Sequence, residues 1–219
     1  KGGLIVSCQA LPEEPLHSSF IMGRMALAAS QAGAVGIRAN TVADIKEIRN
    51  MVDLPIIGII KKVYDDCPDV YITPTIAEVD ALTACGVEII ATDATRRDRP
   101  GGETIETFFS KVRAKFPDQL FMADCSNVEE GMEAAALGFD LIGTTMASYT
   151  PYTRGCPLPP FDMIEYLVKN CGKPVVAEGN IITPEHLRHA MDLGVLTAVV
   201  GSAITRPLEI TKRFVAVLK

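Results

Sequence analysis

Two stretches near the end of the chain decide how the rest is read: Pro174-Val175-Val176-Ala177-Glu178-Gly179-Asn180-Ile181 and Ala198-Val199-Val200-Gly201-Ser202-Ala203-Ile204-Thr205-Arg206-Pro207. Each runs from a short apolar segment through a glycine turn into the start of a predicted helix. Glycine lets backbone N–H groups come close to an anion, and a helix N-terminus attracts one. In a (β/α)8 barrel the loops after strands 7 and 8 commonly form a phosphate site. The two turns therefore predict such a barrel. They place a phosphorylated small molecule against Gly179, Asn180, Gly201 and Ser202, with Arg206 close enough to neutralise its charge.

Working outward, the strand candidates are short, apolar and bounded by Gly or Pro. They are Leu4–Cys8, Val35–Ile37, Ile56–Ile60, Glu88–Thr92, Leu120–Ala123, Leu141–Gly143, Pro174–Ala177 and Thr197–Val200. Helical spacing fills the gaps over Ser19–Ala32, Val42–Val52, Ile76–Cys85, Ile105–Phe116, Val128–Leu137, Phe161–Asn170, Pro184–Leu193 and Leu208–Leu218. Thr41…Asp44, Thr75…Glu78 and Ser126…Glu129 carry the helix-start signature, and Thr183-Pro184 puts a cap before a proline at the first helical position. Gly33, Gly86, Gly138 and Gly194 each end a helix just before a strand, at intervals of 53, 52 and 56 residues. The remaining strands follow prolines. A fourfold repeat of (βα)2 suits a closed barrel better than its rival, a doubly wound open sheet. The expectation is one α/β domain over residues 1–219.

Composition narrows the function. With 219 residues, 48% apolar, the chain has ample material for a core. A net charge of −6 argues against non-specific nucleic-acid binding. No apolar run approaches a membrane span, and Lys1-Gly2-Gly3-Leu4-Ile5-Val6 enters a strand almost at once, so no signal peptide is expected. The six cysteines are scattered with no C-x-x-C pair, which fits reduced thiols in a cytoplasmic protein. No Gly-x-Gly-x-x-Gly follows strand 1, so no dinucleotide cofactor is expected. His186 and His189 stand three apart on a predicted outer helix; without a third histidine or a Cys/His cluster they read as a solvated face, not a metal site.

The chemistry is sought at the C-terminal ends of the strands. Alternate strands share one layer of a barrel interior. Strands 1, 3, 5 and 7 end in Gln9, Lys61, Asp124 and Glu178, so these four polar groups are expected in the top layer. The side-chain period of two turns Lys61 inward and Lys62 outward. A rim lysine serves as a general base or as a Schiff-base nucleophile; its bland alternative is an ion pair to Glu178 or Asp124. The even strands add Arg38, Asp93, Thr144 and Thr145. Arg38 is a candidate for orienting a hydroxyl, carbonyl or phosphate, and Asp93 is a candidate for substrate binding or for capping its own loop.

Eight segments then carry a resemblance. Ser7-Cys8-Gln9-Ala10, Gly36-Ile37-Arg38-Ala39-Asn40, Gly58-Ile59-Ile60-Lys61-Lys62, Thr92-Asp93-Ala94-Thr95, Met122-Ala123-Asp124, Gly143-Thr144-Thr145, Ala177-Glu178-Gly179-Asn180 and Val200-Gly201-Ser202-Ala203-Ile204-Thr205-Arg206-Pro207 look like the bacterial N-acetylmannosamine-6-phosphate 2-epimerases, in order, over the whole chain. The resemblance implies a TIM barrel that interconverts N-acetylmannosamine 6-phosphate and N-acetylglucosamine 6-phosphate in sialic acid breakdown. It implies no metal or organic cofactor, and usually a homodimer. It supports Lys61 as the base at C2, with Glu178 and Asp124 holding hydroxyls or orienting Lys61. Substrate contacts fall to Gln9, Arg38, Asp93, Thr144 and Tyr149, and phosphate contacts to Gly179, Asn180, Gly201, Ser202 and Arg206. One departure stands out: Met146-Ala147-Ser148-Tyr149-Thr150 has Ser148 where the family usually has Gly. A Schiff-base aldolase and a non-catalytic phosphosugar sensor are the competing readings of the same barrel.

Overall fold

The computed structural model describes residues 2–218. Eight parallel strands close into a barrel in sequence order, with β8 returning to β1. The chain runs β1 (Leu4–Cys8), α1 (Ser19–Gln31), β2 (Gly36–Asn40), α2 (Val42–Met51), β3 (Ile56–Ile59), α3 (Ile76–Ala84) and β4 (Ile89–Asp93). It continues through α4 (Ile105–Lys115), β5 (Leu120–Asp124), α5 (Val128–Leu137), β6 (Leu141–Gly143), α6 (Phe161–Asn170), β7 (Val175–Ala177), α7 (Pro184–Asp192), β8 (Thr197–Val200) and α8 (Pro207–Ala216). The open-sheet alternative is thereby excluded.

Two apolar layers hold this arrangement. One lies between sheet and helices; the other fills the lumen with Ile5, Ile57, Ile59, Ala91, Met122, Leu141, Val176 and Val199. Those lumen positions fix the inward parity of every strand but β2, and two residues further on the same parity reaches Ser7, Lys61, Asp93, Asp124, Gly143, Glu178 and Gly201. Gly33, Gly86, Gly138 and Gly194 all adopt positive φ, between 69° and 97°, the left-handed turn that ends a helix. This is the physical content of the fifty-residue repeat.

Boundaries differ where both faces of a strand are buried. β2 begins at Gly36, because Val35 is half-exposed, and extends through Arg38 to Asn40 with every residue buried. Thr41, Thr75 and Thr183 cap their helices as expected, the second with a full capping box. The Ser126…Glu129 start is corrected by one residue: Asn127 is the cap, and Ser126 donates to Glu130 instead. The chain between β3 and α3 is no plain loop. It forms a small antiparallel hairpin in which Lys61 bridges Ile72.

Candidate active site

Lys61 is set by that hairpin. Thr73 N–H donates to Ile60 O at 2.8 Å and Lys62 N–H to Tyr71 O at 2.9 Å, while Lys61 N–H donates to Asn40 Oδ1 at 2.8 Å. With its backbone held on both sides, the Lys61 side chain enters a cavity of about 340 Å3 at the C-terminal mouth of the barrel. Lys62 turns outward, 3.5 Å from Glu78 and over the Tyr64 ring. Burial, aided by the positive charges of Arg38 and Arg206, lowers the Lys61 ammonium from 10.5 to about 8.

The carboxylates do not pair with Lys61. Arg38, 1% exposed, reaches across the lumen and grips Asp124 through both terminal nitrogens, at 3.1 and 2.5 Å, and Glu178 at 2.8 Å. The Thr145 hydroxyl adds bonds of 2.6 Å to Asp124 and 3.1 Å to Glu178. Asp124 is wholly buried, so it sits beneath the cavity instead of lining it; Gln9, Lys61 and Glu178 do line it. Burial pushes Glu178 up to about 7; Arg38 opposes this and the Asp124 charge adds to it. The bland ion-pair reading of Lys61 is therefore replaced. Arg38 satisfies both acids, and among the described residues Lys61 has no ion pair.

The two glycine turns form the opposite wall. Gly179 has φ of +114°, and a Cβ there would stand 3.2 Å from Thr144 O; Asn180 follows at φ 59°. A Cβ on Gly201 would meet Ser7 Cβ at 3.2 Å. Gly179, Asn180, Gly201, Ser202 and Arg206 all border the same cavity as Lys61. Arg206 pairs with Glu14 at 2.9 Å. Gln9 donates to Ser7 Oγ at 2.8 Å, leaving its buried Oε1 without a partner. Tyr149 stands at the mouth, 65% exposed.

Three expected substrate contacts fall outside the lining: Arg38, which lies beneath it against Asp124 and Glu178, and Thr144 and Asp93. Thr144 is fully buried and its hydroxyl is exchanged with the backbone of Glu178, donating to O and accepting from N–H; its neighbour Thr145 faces the cavity. Asp93 has lumen parity, but its carboxylate is taken by Thr95 N–H and hydroxyl and by Arg97, the loop-capping alternative. Thr145 was one of the two threonines expected after β6, which at three residues is too short for parity to choose between them. Ser7 was findable by parity from Ile5. Tyr71 and Glu14 come from irregular loops and left no periodic signal. His186 and His189 are not a purely solvated pair: both rings stand edge-on to Phe161, at 5.9 and 4.4 Å. Among the described residues no group of three or more His, Cys, Asp or Glu is placed to hold a metal.

A profile of the family described as "Putative N-acetylmannosamine-6-phosphate epimerase" matches residues 22–219. The chain belongs to this family. A Clostridium perfringens relative bearing the 2-epimerase form of that name is 56% identical over 219 residues, covering 100% of this chain and 98% of the relative. One from Lactiplantibacillus plantarum is 52% identical, covering 100% and 96%. The solved N-acetylmannosamine-6-phosphate 2-epimerase from Clostridium perfringens superposes with a TM-score of 0.93 at 55% identity, over 98% of this chain and 93% of that one. A thiamine phosphate pyrophosphorylase from Pyrococcus furiosus, at TM-score 0.62 and 19% identity over 99% and 97% of the two chains, shares the barrel alone.

Proposed function

We propose that this epimerase-family chain inverts C2 of N-acetylmannosamine 6-phosphate to give N-acetylglucosamine 6-phosphate, as one barrel domain and without a cofactor. The observation that carries this reading is Lys61, an amine lowered to about 8, without an ion pair among the described residues and facing a cavity bounded by two glycine turns. The C2 proton is acidic only when C1 is an aldehyde, so the open-chain sugar reacts. Neutral Lys61 takes that proton. Its pKa near the working pH suits a general base. Negative charge then develops on O1; we assign its stabilisation to Gln9, which lines the cavity, and to the field of the buried Arg38 guanidinium beneath it. Inversion needs the new proton on the opposite face of C2 from the one Lys61 addresses. Both carboxylates already accept from Arg38 and Thr145, so we assign Lys61 the removal and a sugar hydroxyl the delivery of its own proton to the far face, the Lys61 ammonium then re-protonating that oxygen, with Glu178 orienting the hydroxyl and Asp124 holding Arg38. Amides around Gly179, Asn180, Gly201 and Ser202, with Arg206, take the phosphate. That remote grip holds the reacting carbon near Lys61.

Proton NMR in D2O tests this directly. Wild-type protein should convert the substrate, and Lys61→Met should lower turnover by about 10²–10⁴-fold while folding normally. Deuterium at C2 of the product means exchange with solvent; its absence means internal return by one proton-carrying group. Unconverted sugar with wild-type protein would overturn the reading.

We further infer a homodimer built on α8. That helix buries none of its residues and exposes Phe214 at 73% and Val217 and Leu218 just beyond it at over 80%, an apolar face that monomers rarely leave bare. A monomeric mass by sedimentation would refute it. The six cysteines are all unpaired and no described helix is long and apolar enough to cross a membrane. Both support a cytoplasmic setting.

A further inference from the structure

Arg206, the cation assigned above to the substrate phosphate, is already occupied by an anion of the protein itself. Glu14 lies in the connection between β1 and α1, and its Oε1 sits 2.9 Å from Arg206 Nη2. The same Oε1 accepts from Leu11 N–H at 3.2 Å, so the carboxylate is fixed by its own loop at that place. Leu11 and Arg206 both border the cavity. Neither partner is deeply buried, at 21% and 31% exposure, so the pair is one that an incoming dianion can disturb. Glu14 also lies near enough to Lys61 to push its pKa up, against Arg206, which pushes it down.

We propose that Glu14 is a built-in competitor for the anion subsite. In the empty enzyme it holds Arg206; a phosphoryl group must either displace it or bind beside it against its charge. This rests on the reading of Arg206 as the phosphate cation. The penalty falls equally on every anion. A sugar phosphate keeps its contacts along the cavity and tolerates the loss, whereas a bare phosphate has no others and is held off. Glu14 thus sets how far inorganic phosphate occupies the site.

The test is inhibition by inorganic phosphate, measured on the full chain as wild type, Glu14→Gln, Arg206→Ala and Glu13→Gln. Glu13 is exposed, lies in the same loop, carries the same charge and makes no ion pair among the described residues, so it controls for net charge. Glu14→Gln is expected to tighten phosphate by about three- to tenfold, the scale of one partly screened charge, with Glu13→Gln unchanged. The acid limb of kcat/KM should also move to lower pH in Glu14→Gln, because a charge that raises Lys61 has gone. If Arg206→Ala leaves phosphate inhibition untouched, the phosphate subsite lies elsewhere and both readings fall. If Arg206→Ala weakens phosphate while Glu14→Gln weakens it too or leaves it unchanged, the subsite stands and the competitor is refuted. Equal tightening by Glu13→Gln would also refute it, since general charge would then account for the effect. Should Glu14→Gln fold poorly, Glu14→Asp, too short to hold both contacts, is expected to tighten phosphate in the same direction.

Discussion

Two arginines are buried to almost the same degree, and they do different work. Arg38 on β2 is 1% exposed and Arg99, in the connection after β4, is 2% exposed. Arg99 gives its protons to backbone carbonyls of Pro74, Thr73 and Asp93 and to the Thr92 hydroxyl, and stacks 3.8 Å over Phe108. It ties the β3–α3 connection to β4 outside the lumen. Burial lowers it to about 10, with the Asp93 charge opposing. Burial works against Arg38 as well, but Asp124 and Glu178 outweigh it and hold it above the ordinary arginine range. Carbonyls do not titrate and face no ligand. Carboxylates do titrate, and one of Arg38's two partners looks into the cavity. What a buried cation touches, not how deeply it lies, separates a brace from a working part.

Substitution breaks or upholds that distinction. The largest effect is expected at Arg38→Met, which strands buried Asp124 beside Glu178. Removing one partner of a buried pair costs about 3–5 kcal/mol, and the lost cation at the reacting end should lower kcat/KM by about 10²–10³-fold in whatever folds. Chemical denaturation and steady-state kinetics read the two. Next comes Arg99→Lys. An ammonium offers three donors and no planar fork, leaving a buried carbonyl short of a partner at a cost of about 1–3 kcal/mol. The folded fraction should keep its kcat/KM. Equal kinetic losses at the two positions would erase the difference drawn above.

Charge at the rim also makes both stability and activity depend on pH. Lys61 titrates at about 8 in the fold against 10.5 outside it. The fold therefore disfavours its charged form: the penalty is full below pH 8 and disappears as pH rises from 8 towards 10.5. Glu178 is raised to about 7 from 4.5, so its contribution is present below 4.5 and is lost as pH rises through 7. Lys61→Met removes the first penalty and should raise the melting temperature at pH 7, by an amount on the order of 1–3 kcal/mol in stability, while turnover collapses. For wild type, kcat/KM should climb with pH through about 8. Glu178→Gln removes a charge that raises Lys61, so the acid limb should shift downward. An upward shift would mean Glu178 does not act on Lys61.

Much of this was legible from residue order because barrels are periodic. Gly33, Gly86, Gly138 and Gly194 mark helix ends that demand positive φ, and period-two parity brings Gln9, Lys61 and Glu178 to one cavity. The Arg38 bonds to Asp124 and Glu178 span 86 and 140 residues across the lumen, so local pattern carries no trace of them; only closure reveals that one arginine answers both acids. Thr144 and Thr145 differ by a single step of parity, and β6 is three residues long, too short for alternation alone to choose. Tyr71 depends on a hairpin whose register is set by contacts, not by repeating hydrophobicity.

The smallest expected effect belongs to Ser148, and it concerns the loop rather than the chemistry. Ser148 holds φ at 71°, in the left-handed region where a side chain is strained and glycine is not. The strain is partly offset: Ser148 Oγ accepts from Gly155 N–H at 3.3 Å, which ties the two ends of the turn next to Tyr149. Ser148→Gly removes both the strain and that bond, and adds freedom to the unfolded chain. The strain is the larger of these, so a net gain of about 0.5–1 kcal/mol is expected, roughly 1–4 °C in melting temperature for a chain of this size. The same change frees the segment that presents Tyr149 to the cavity mouth, so KM should move more than kcat. A lower melting temperature in Ser148→Gly would show instead that the hydroxyl bond to Gly155, not the backbone angle, dominates this turn.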